Sequence, residues 1–95
     1  MKVYRGDRTI DGVYVTVDDR PLDQRLDLKE ISKNGFEWSY EGPEPEQLAL
    51  AILADCVGDD VAMQNYRTFM KEIVANFQND WEMTEADVKA ALETA

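Results

Sequence analysis

The sequence contains no histidine and only one cysteine, and these two shortages exclude several classes of enzyme and metalloprotein. Without imidazole there is no Ser-His-Asp or Cys-His nucleophile pair and no histidine-ligated zinc. Cys56 has no second cysteine with which to form a disulfide or a zinc cluster, which fits a reducing compartment. Any metal would need carboxylate and carbonyl ligands, and no calcium loop of the Asp-x-Asp-x-Asp-Gly type occurs. We therefore expect no cofactor, no metal site and no catalytic residue.

Long apolar runs are also missing. No stretch approaches the roughly 20 apolar residues that a membrane-spanning helix needs. Residues 1–7 lack the apolar core of a signal peptide. These observations predict a cytoplasmic protein that does not enter a membrane. The 95 residues, of which 44% are hydrophobic, suffice for one modest core, so we expect residues 1–95 to form a single domain.

Basic residues are scarce in the second half of the chain. Residues 1–40 contain seven basic and eight acidic side chains, whereas residues 41–95 contain three basic and twelve acidic ones. Nearly all of the net charge of −10 therefore belongs to the second half. A chain of this charge repels the phosphate backbone, which argues against direct binding of DNA or RNA.

The first half shows the patterns of β-strands. Val13, Val15 and Val17 alternate with polar or aromatic residues, as in a half-buried strand. Asp11-Gly12 predicts a tight hairpin turn before this strand, with positive φ values at the pair, and a second turn is expected at residues 18–21. Any strand at Leu22 should be short or at an edge, because Pro21 cannot donate to a ladder. Residues 23–34 are expected to be irregular.

Aromatic residues alternate after the turn signal at Asn34-Gly35. Phe36, Trp38 and Tyr40 would share one face of a further strand, with Glu37 and Ser39 on the other face. This pattern predicts an aromatic strand that lines the core.

The second half shows the patterns of helices. The first helix is expected to begin at the prolines of residues 43–45 and to end at Gly58, and its apolar residues lie nearly all round it. Asp59 or Asp60 is expected to cap a second helix with an inward stripe of Tyr66, Phe69, Met70, Ile73, Val74 and Phe77. Residues 81–83 read as extended, and a third helix opens at the capping pattern of residues 84–87, with Val88, Ala91 and Leu92 inward. The predicted fold is α+β, an N-terminal antiparallel sheet of three to four strands packed against about three C-terminal helices.

The acidic residues of the second half allow two interpretations. They can form a solvated surface, with several carboxylates favoured in first helical turns, or an electronegative face that docks on a basic protein partner. We adopt the second as the function hypothesis, that of a small non-enzymatic interaction protein. Its candidate binding residues are Glu41, Glu44, Glu46, Asp59, Asp60, Glu72, Asp80, Glu82 and Glu85.

Two further function classes stay open. A small-molecule or phosphate binder, or an enzyme, could use Arg5 and Arg8 with Asp55 or Glu37, because arginine binds oxyanions in a bidentate manner. The other class is a structural homo-oligomer. Asp55 follows an apolar run and would need a partner, such as a helix cap or an arginine, if it is buried. We expect Cys56 to be a small buried hydrophobe without reactivity.

Several motifs are shared with a known family. They are Tyr4-Arg5-Gly6, Val15-Thr16-Val17-Asp18, Arg20-Pro21-Leu22, Leu26-Asp27-Leu28, Trp81-Glu82-Met83-Thr84 and, above all, Gly35-Phe36-Glu37-Trp38-Ser39-Tyr40-Glu41-Gly42 running into residues 45–55. With them the chain resembles, over nearly its whole length, a family of small proteins from phages, bacteria and archaea catalogued as a domain of unknown function. At Ser39 the family more often has glycine. The resemblance implies no activity, cofactor or catalytic residue. It favours a phage-related setting, where small acidic proteins that block basic host machinery recur.

Overall fold

A four-stranded antiparallel sheet packs against three helices, and the α+β prediction is confirmed. The structure is a computed structural model that describes residues 1–94. Its strands are β1 (Val3–Thr9), β2 (Gly12–Val17), β3 (Arg20–Pro21) and β4 (Trp81–Thr84), in the sheet order β3-β2-β1-β4. Its helices are α1 (Pro43–Val57), α2 (Asp59–Glu72) and α3 (Glu85–Thr94), with a 3-10 turn at Val74–Asn76. None of these helices has the length and apolar character needed to cross a membrane.

The first hairpin forms where predicted, but its turn lies one residue earlier. Thr9 pairs with Gly12, so that Ile10 and Asp11 occupy the turn. Of the Asp11-Gly12 pair, only Gly12 has a positive φ, at 125°. The second turn holds Asp18 and Asp19 at φ values of 51° and 67°. It leads into β3, which is a two-residue edge strand as expected.

The predicted aromatic strand does not form. Residues 35–40 contain no strand, although Phe36 and Trp38 are buried as expected. Ser39 has a φ of 78°, in the left-handed region that a strand excludes, and the chain bends at residues 39 and 40. Tyr40 is consequently 44% exposed instead of facing the core. The fourth strand of the sheet is β4, from near the end of the described chain, which pairs with β1.

Helix α1 follows its predicted bounds and forms the centre of the core. Each residue from 48 to 53 has no exposed surface, which explains why the helix is apolar on all sides. Gly58 ends it with a φ of 97°, a conformation that a residue with a side chain adopts at a cost. The Tyr4 hydroxyl of β1 bonds to Asp55 near the end of α1, which joins the helix to the sheet.

Two details of α2 differ from the prediction, and α3 agrees with it. The N-cap of α2 is Gly58, with no capping side chain, so neither Asp59 nor Asp60 caps this helix. Helix α2 ends at Glu72, short of the predicted stripe, and the chain continues as the 3-10 turn. Helix α3 opens with a reciprocal pair of hydrogen bonds, from the Thr84 amide to the Asp87 carboxylate (2.9 Å) and from the Asp87 amide to the Thr84 hydroxyl (3.1 Å). Val88 of α3 is fully buried.

An aromatic cluster joins the sheet to the helical half. Trp81 lies opposite Gly6 of β1, and a Cβ atom at Gly6 would overlap the indole of Trp81. The Trp38 ring meets Trp81 edge to face, at 5.9 Å and 84°, and Phe77 stacks on Trp81 at 4.3 Å. Glycine at residue 6 is therefore required for this close approach.

Candidate functional site: an acidic groove beside Tyr40

The irregular segment of residues 22–42 is positioned by one buried side chain, that of Gln47. Its Oε1 accepts hydrogen bonds from the amides of Ile31 (2.8 Å) and Ser32 (3.0 Å), and its Nε2 donates to the carbonyls of Gln24 (2.6 Å) and Lys29 (3.1 Å). Gln47 has no exposed surface, so these bonds satisfy an otherwise costly buried amide. The sequence analysis missed this role. A polar residue inside the apolar run of α1 was the available signal.

Arg8 and Arg5 lie on opposite faces of β1 and do not form one site. The Arg8 guanidinium, over the ring of Trp38 at 4.9 Å, donates to the Glu37 carboxylate (2.7 Å), to the Asn79 side chain (2.6 Å) and to the Trp38 carbonyl (3.1 Å). Arg5 instead faces outward and pairs with Glu82 (2.7 Å) and Asp19 (3.4 Å). The Arg8 donors are therefore largely occupied by the protein itself.

A groove of about 520 Å³ opens beside Arg8. The segment after the 3-10 turn forms one wall, and Ser39 forms another. Ser39 is fixed there by its amide, which donates to the Val74 carbonyl (3.1 Å), and by its hydroxyl, which donates to the Phe77 carbonyl (2.6 Å). The lining residues are Arg8, Ser39, Phe77, Gln78, Asn79 and Asp80.

Tyr40 and Glu44 extend this surface. The Tyr40 hydroxyl donates to the Glu44 carboxylate at 2.8 Å, and Glu44 also accepts from the Ser32 hydroxyl at 3.0 Å. Partial burial and the bond to Glu44 raise the pKa of Tyr40 to about 12, and the charges of Glu37 and Arg8 also act on it. The hydrogen bonds from the Tyr40 hydroxyl, which has the larger effect, and from the Ser32 hydroxyl hold the pKa of Glu44 below its ordinary value. Tyr40, Glu44 and Arg8 thus belong to one electrostatic environment.

The nine acidic residues proposed from the sequence do not all lie together. Helix α1, with 15 residues, separates its two ends by roughly 20 Å. Glu41, Glu44 and Glu46 lie where α1 begins, and Glu72 and Asp80 join them because the hydrogen bond from Ser39 to Val74 brings the end of α2 to this place. Asp59, Asp60 and Glu85 lie towards the other end of α1, and Glu82 projects from the outer face of the sheet.

Ion pairing separates the nine residues further. Asp59 pairs with Arg25 (3.1 Å), Glu82 with Arg5 (2.7 Å) and Glu85 with Lys89 (3.3 Å). The other six carboxylates have no ion-pair partner within residues 1–94: Glu41, Glu44, Glu46, Asp60, Glu72 and Asp80. Five of these six lie at the Tyr40 end, and of those five Glu44 accepts hydrogen bonds from two hydroxyl groups. We use the name acidic groove for the groove lined by Arg8, Ser39, Phe77, Gln78, Asn79 and Asp80, together with Tyr40, Glu41 and Glu72 of the adjoining chain segments.

Asp55 and Cys56 have structural partners. Asp55 Oδ2 accepts from the Tyr4 hydroxyl (2.8 Å) and from Lys2 Nζ (3.2 Å), not from an arginine or a helix cap as expected. Burial, followed by the bond to Asp55, raises the pKa of Tyr4 far above its ordinary value. Burial also raises the pKa of the Cys56 thiol, which disfavours the reactive thiolate. Neither residue belongs to the acidic groove.

The arrangement around the groove suits binding more than bond-making. Unpaired carboxylates and exposed aromatic surface attract cations, whereas the Arg8 guanidinium in the same groove already donates to Glu37, Asn79 and the Trp38 carbonyl. Within residues 1–94, no three His, Cys, Asp or Glu side chains are placed to hold a metal ion.

Comparison with known proteins gives a family but no activity. No curated protein and no solved structure matches the chain. The model of a family of unknown function, DUF6166, matches residues 4–94, which is nearly the whole sequence. The chain therefore belongs to the DUF6166 family.

Proposed function

We propose that this protein is a small, non-enzymatic binding module whose acidic groove takes a basic segment of a protein partner. The observation that carries the proposal is the contrast among the nine acidic residues. Those at the far end of α1 and on the sheet are mostly neutralised within the chain. Asp80, by contrast, lines an open groove, Glu41 and Glu72 lie in the chain segments next to it, and none of these three has an ion-pair partner in the described part of the chain.

Exposed aromatic surface at the groove supports the same ligand class. Tyr40 is 44% exposed, and Phe77, partly buried, lines the groove directly. Arginine and lysine side chains bind aromatic faces by cation–π contact and carboxylates by charge-assisted hydrogen bonds. A groove that offers both groups selects basic side chains over acidic or purely apolar ones.

The alternatives from the sequence receive less support. A phosphate or small-molecule site at Arg5 and Arg8 would need two guanidinium groups that lie on opposite faces of β1 and already hold carboxylates. None of the features described above for residues 1–94 specifically favours a homo-oligomer. A cytoplasmic location and a phage-related role remain part of the proposal, supported by the single cysteine and by the acidic character of the chain.

The test is fluorescence anisotropy with a labelled peptide of alternating arginine and glycine. The triple variant Glu41→Gln, Glu72→Gln, Asp80→Asn should weaken binding about tenfold, because three exposed charge pairs each contribute about 0.5 kcal/mol. A matched triple, Asp7→Asn, Asp11→Asn, Glu93→Gln, removes the same charge from exposed residues outside the groove and should change the affinity less than about threefold.

The second part of the test measures how the affinity for the peptide depends on salt concentration. Binding to the groove should weaken as the ionic strength rises from about 0.05 to 0.5 M, since exposed charges are screened over a shorter distance. Equal effects of the two triple variants would show that the peptide responds to net charge alone and would contradict the assignment to the groove. Affinity that does not change with salt would contradict the electrostatic mechanism itself.

A further inference from the structure

Four of the ten basic side chains have no carboxylate partner within residues 1–94. They are Arg20, Lys29, Arg67 and Lys71. In a chain with twice as many acidic as basic residues, unpaired cations are unexpected, and two of the four lie at the same tyrosine. Lys29 Nζ is 5.5 Å and the Arg67 guanidinium carbon is 5.6 Å from the centre of the Tyr66 ring.

These two cations border a cavity of about 230 Å³ on the surface of α2. The lining residues, which we call the cationic notch, are Lys29, Met63, Gln64, Tyr66 and Arg67. None of the five is acidic. Lys29 Nζ donates to the Tyr66 hydroxyl at 3.1 Å, and the Tyr66 ring is otherwise almost fully buried. The notch therefore offers ammonium, guanidinium and amide donors, and its five lining residues include no carboxylate.

The backbone holds Lys29 in place before any ligand arrives. Its amide donates to the Arg25 carbonyl (3.2 Å), and its carbonyl accepts from the buried Gln47 side chain (3.1 Å). The Arg25 guanidinium also connects the turn at residues 25–29 to the start of α2, because it donates two hydrogen bonds to the Asp59 carboxylate, both 3.1 Å long. Preorganised donors bind a ligand with little loss of conformational entropy.

Charge and shape identify the ligand class. Two neighbouring cations repel each other, and an anion placed between them removes that repulsion. A phosphoryl group carries nearly two negative charges at neutral pH and three strong acceptor oxygens, which suits donors that come from Lys29, Arg67 and Gln64. Met63, which is 39% exposed, adds an apolar surface for an organic substituent. We propose that the cationic notch binds the phosphoryl group of a small phosphate compound.

The test is a titration of the ¹⁵N-labelled full chain, followed by amide chemical shifts, with phenyl phosphate, inorganic phosphate and benzoate as separate probes. Phenyl phosphate should give saturable shifts centred on Lys29, Gln64 and Arg67. Saturable binding of inorganic phosphate of equal strength would identify free phosphate as the preferred source, and weaker binding would identify a phosphate ester. Benzoate should bind at least about tenfold more weakly, because it has a single negative charge and two oxygens.

Variants localise the binding. Arg67→Gln, at an exposed position of α2, should weaken phenyl phosphate at least about tenfold, and Lys29→Gln should do the same. Lys71→Gln, which removes an unpaired cation outside the notch from the same helix, should change the affinity less than about twofold. The affinity should also rise between pH 5.5 and 7.5, as the phosphate ester loses its second proton near pH 6.

Three results would overturn the proposal. They are shifts that do not saturate or that spread over the whole chain, equal affinity in Arg67→Gln and the unmodified protein, and benzoate binding as tight as that of phenyl phosphate. Because Arg67 is exposed and makes no ion pair within residues 1–94, we expect Arg67→Gln to keep the fold, which circular dichroism checks. A loss of binding in a folded variant then reports on the notch itself.

Discussion

Residues 22–42 and the α1–α2 hairpin are held in place by different forces. The hairpin is stabilised by apolar burial, with residues 48–53 of α1 fully enclosed. The segment before it has almost no regular structure and is fixed by polar bonds, chiefly those of Gln47 and Glu44. The spacing of apolar residues in the sequence therefore predicts the helix pair α1–α2. The conformation of residues 22–42, which shape the acidic groove, depends instead on single polar side chains.

The largest loss of stability is expected from a cavity in the apolar core around α1. Leu50→Ala removes a side chain with no exposed surface from the middle of α1 and should lower the free energy of unfolding by about 3 kcal/mol. Urea unfolding followed by circular dichroism measures it. Val61→Ala, at a half-exposed position of α2, is the control and should cost less than about 1 kcal/mol. A loss below about 1 kcal/mol at Leu50 would mean that α1 is not the centre of the core.

A smaller and more local loss of stability is expected when the hydrogen bonds that hold residues 22–42 are removed. Gln47→Met keeps a similar volume and removes four hydrogen bonds, which should cost about 2 kcal/mol. Hydrogen exchange should accelerate at the amides of Ile31 and Ser32 more than in α1. Gln64→Met, on the exposed side of α2, should leave both measurements nearly unchanged. Uniform acceleration across the chain would show that the two regions unfold as one unit.

Two variants of Ser39 measure the backbone strain within residues 22–42. Ser39→Ala keeps the φ of 78° and loses the bond to the Phe77 carbonyl, whereas Ser39→Gly loses the same bond but relieves the strain. Glycine should therefore be more stable than alanine by about 1 kcal/mol. Thermal unfolding of the two variants, side by side, gives the difference. An alanine variant as stable as the glycine variant would show that Ser39 is not strained.

The smallest effect concerns pH. The pKa of Glu44 is lowered in the folded state, so its bonds stabilise the protein above its ordinary value of 4.5 and are lost as the pH falls through the folded value. Exchange at residues 31–34, corrected for intrinsic rates, should therefore increase on acidification before exchange in α1 does. Glu44→Gln should remove part of this pH dependence. Glu46→Gln should not, because the Glu46 side chain, on the same turn, has no hydrogen-bond partner among the residues that the structure describes. Simultaneous loss of protection in both regions would contradict the distinction.

Local signals in the sequence predicted much of the fold. Pro43 and Gly58 bound α1 as expected, and the capping pattern of Thr84 and Asp87 opens α3. The failure at residues 36–40 has a physical cause. Aromatic alternation matches the period of a strand, but the left-handed conformation of Ser39 depends on hydrogen bonds to residues 74 and 77, which no local pattern contains.

The candidate site was less predictable than the fold. The sequence identified acidic residues but not which of them would be neutralised, because the partners of Asp59 and Glu82 are Arg25 and Arg5, distant along the chain. The groove itself depends on the approach of Ser39 to Phe77, and the cationic notch depends on the approach of Lys29 to Tyr66 beside Arg67. Contacts between residues that are distant in the sequence, rather than composition, therefore determine where the acidic groove and the cationic notch form.

The position of β4 has a consequence for synthesis of the chain. Strand β1 is central in the sheet, and its second neighbour is made about 75 residues after it. Until Trp81 leaves the ribosome, one edge of β1 has no partner and Gly6 has no indole above it. Contacts so far apart in sequence form slowly, so the nascent chain exposes an incomplete sheet until β4 has been made. A fragment that ends before β4 should therefore aggregate, because the edge of β1 that pairs with β4 stays exposed.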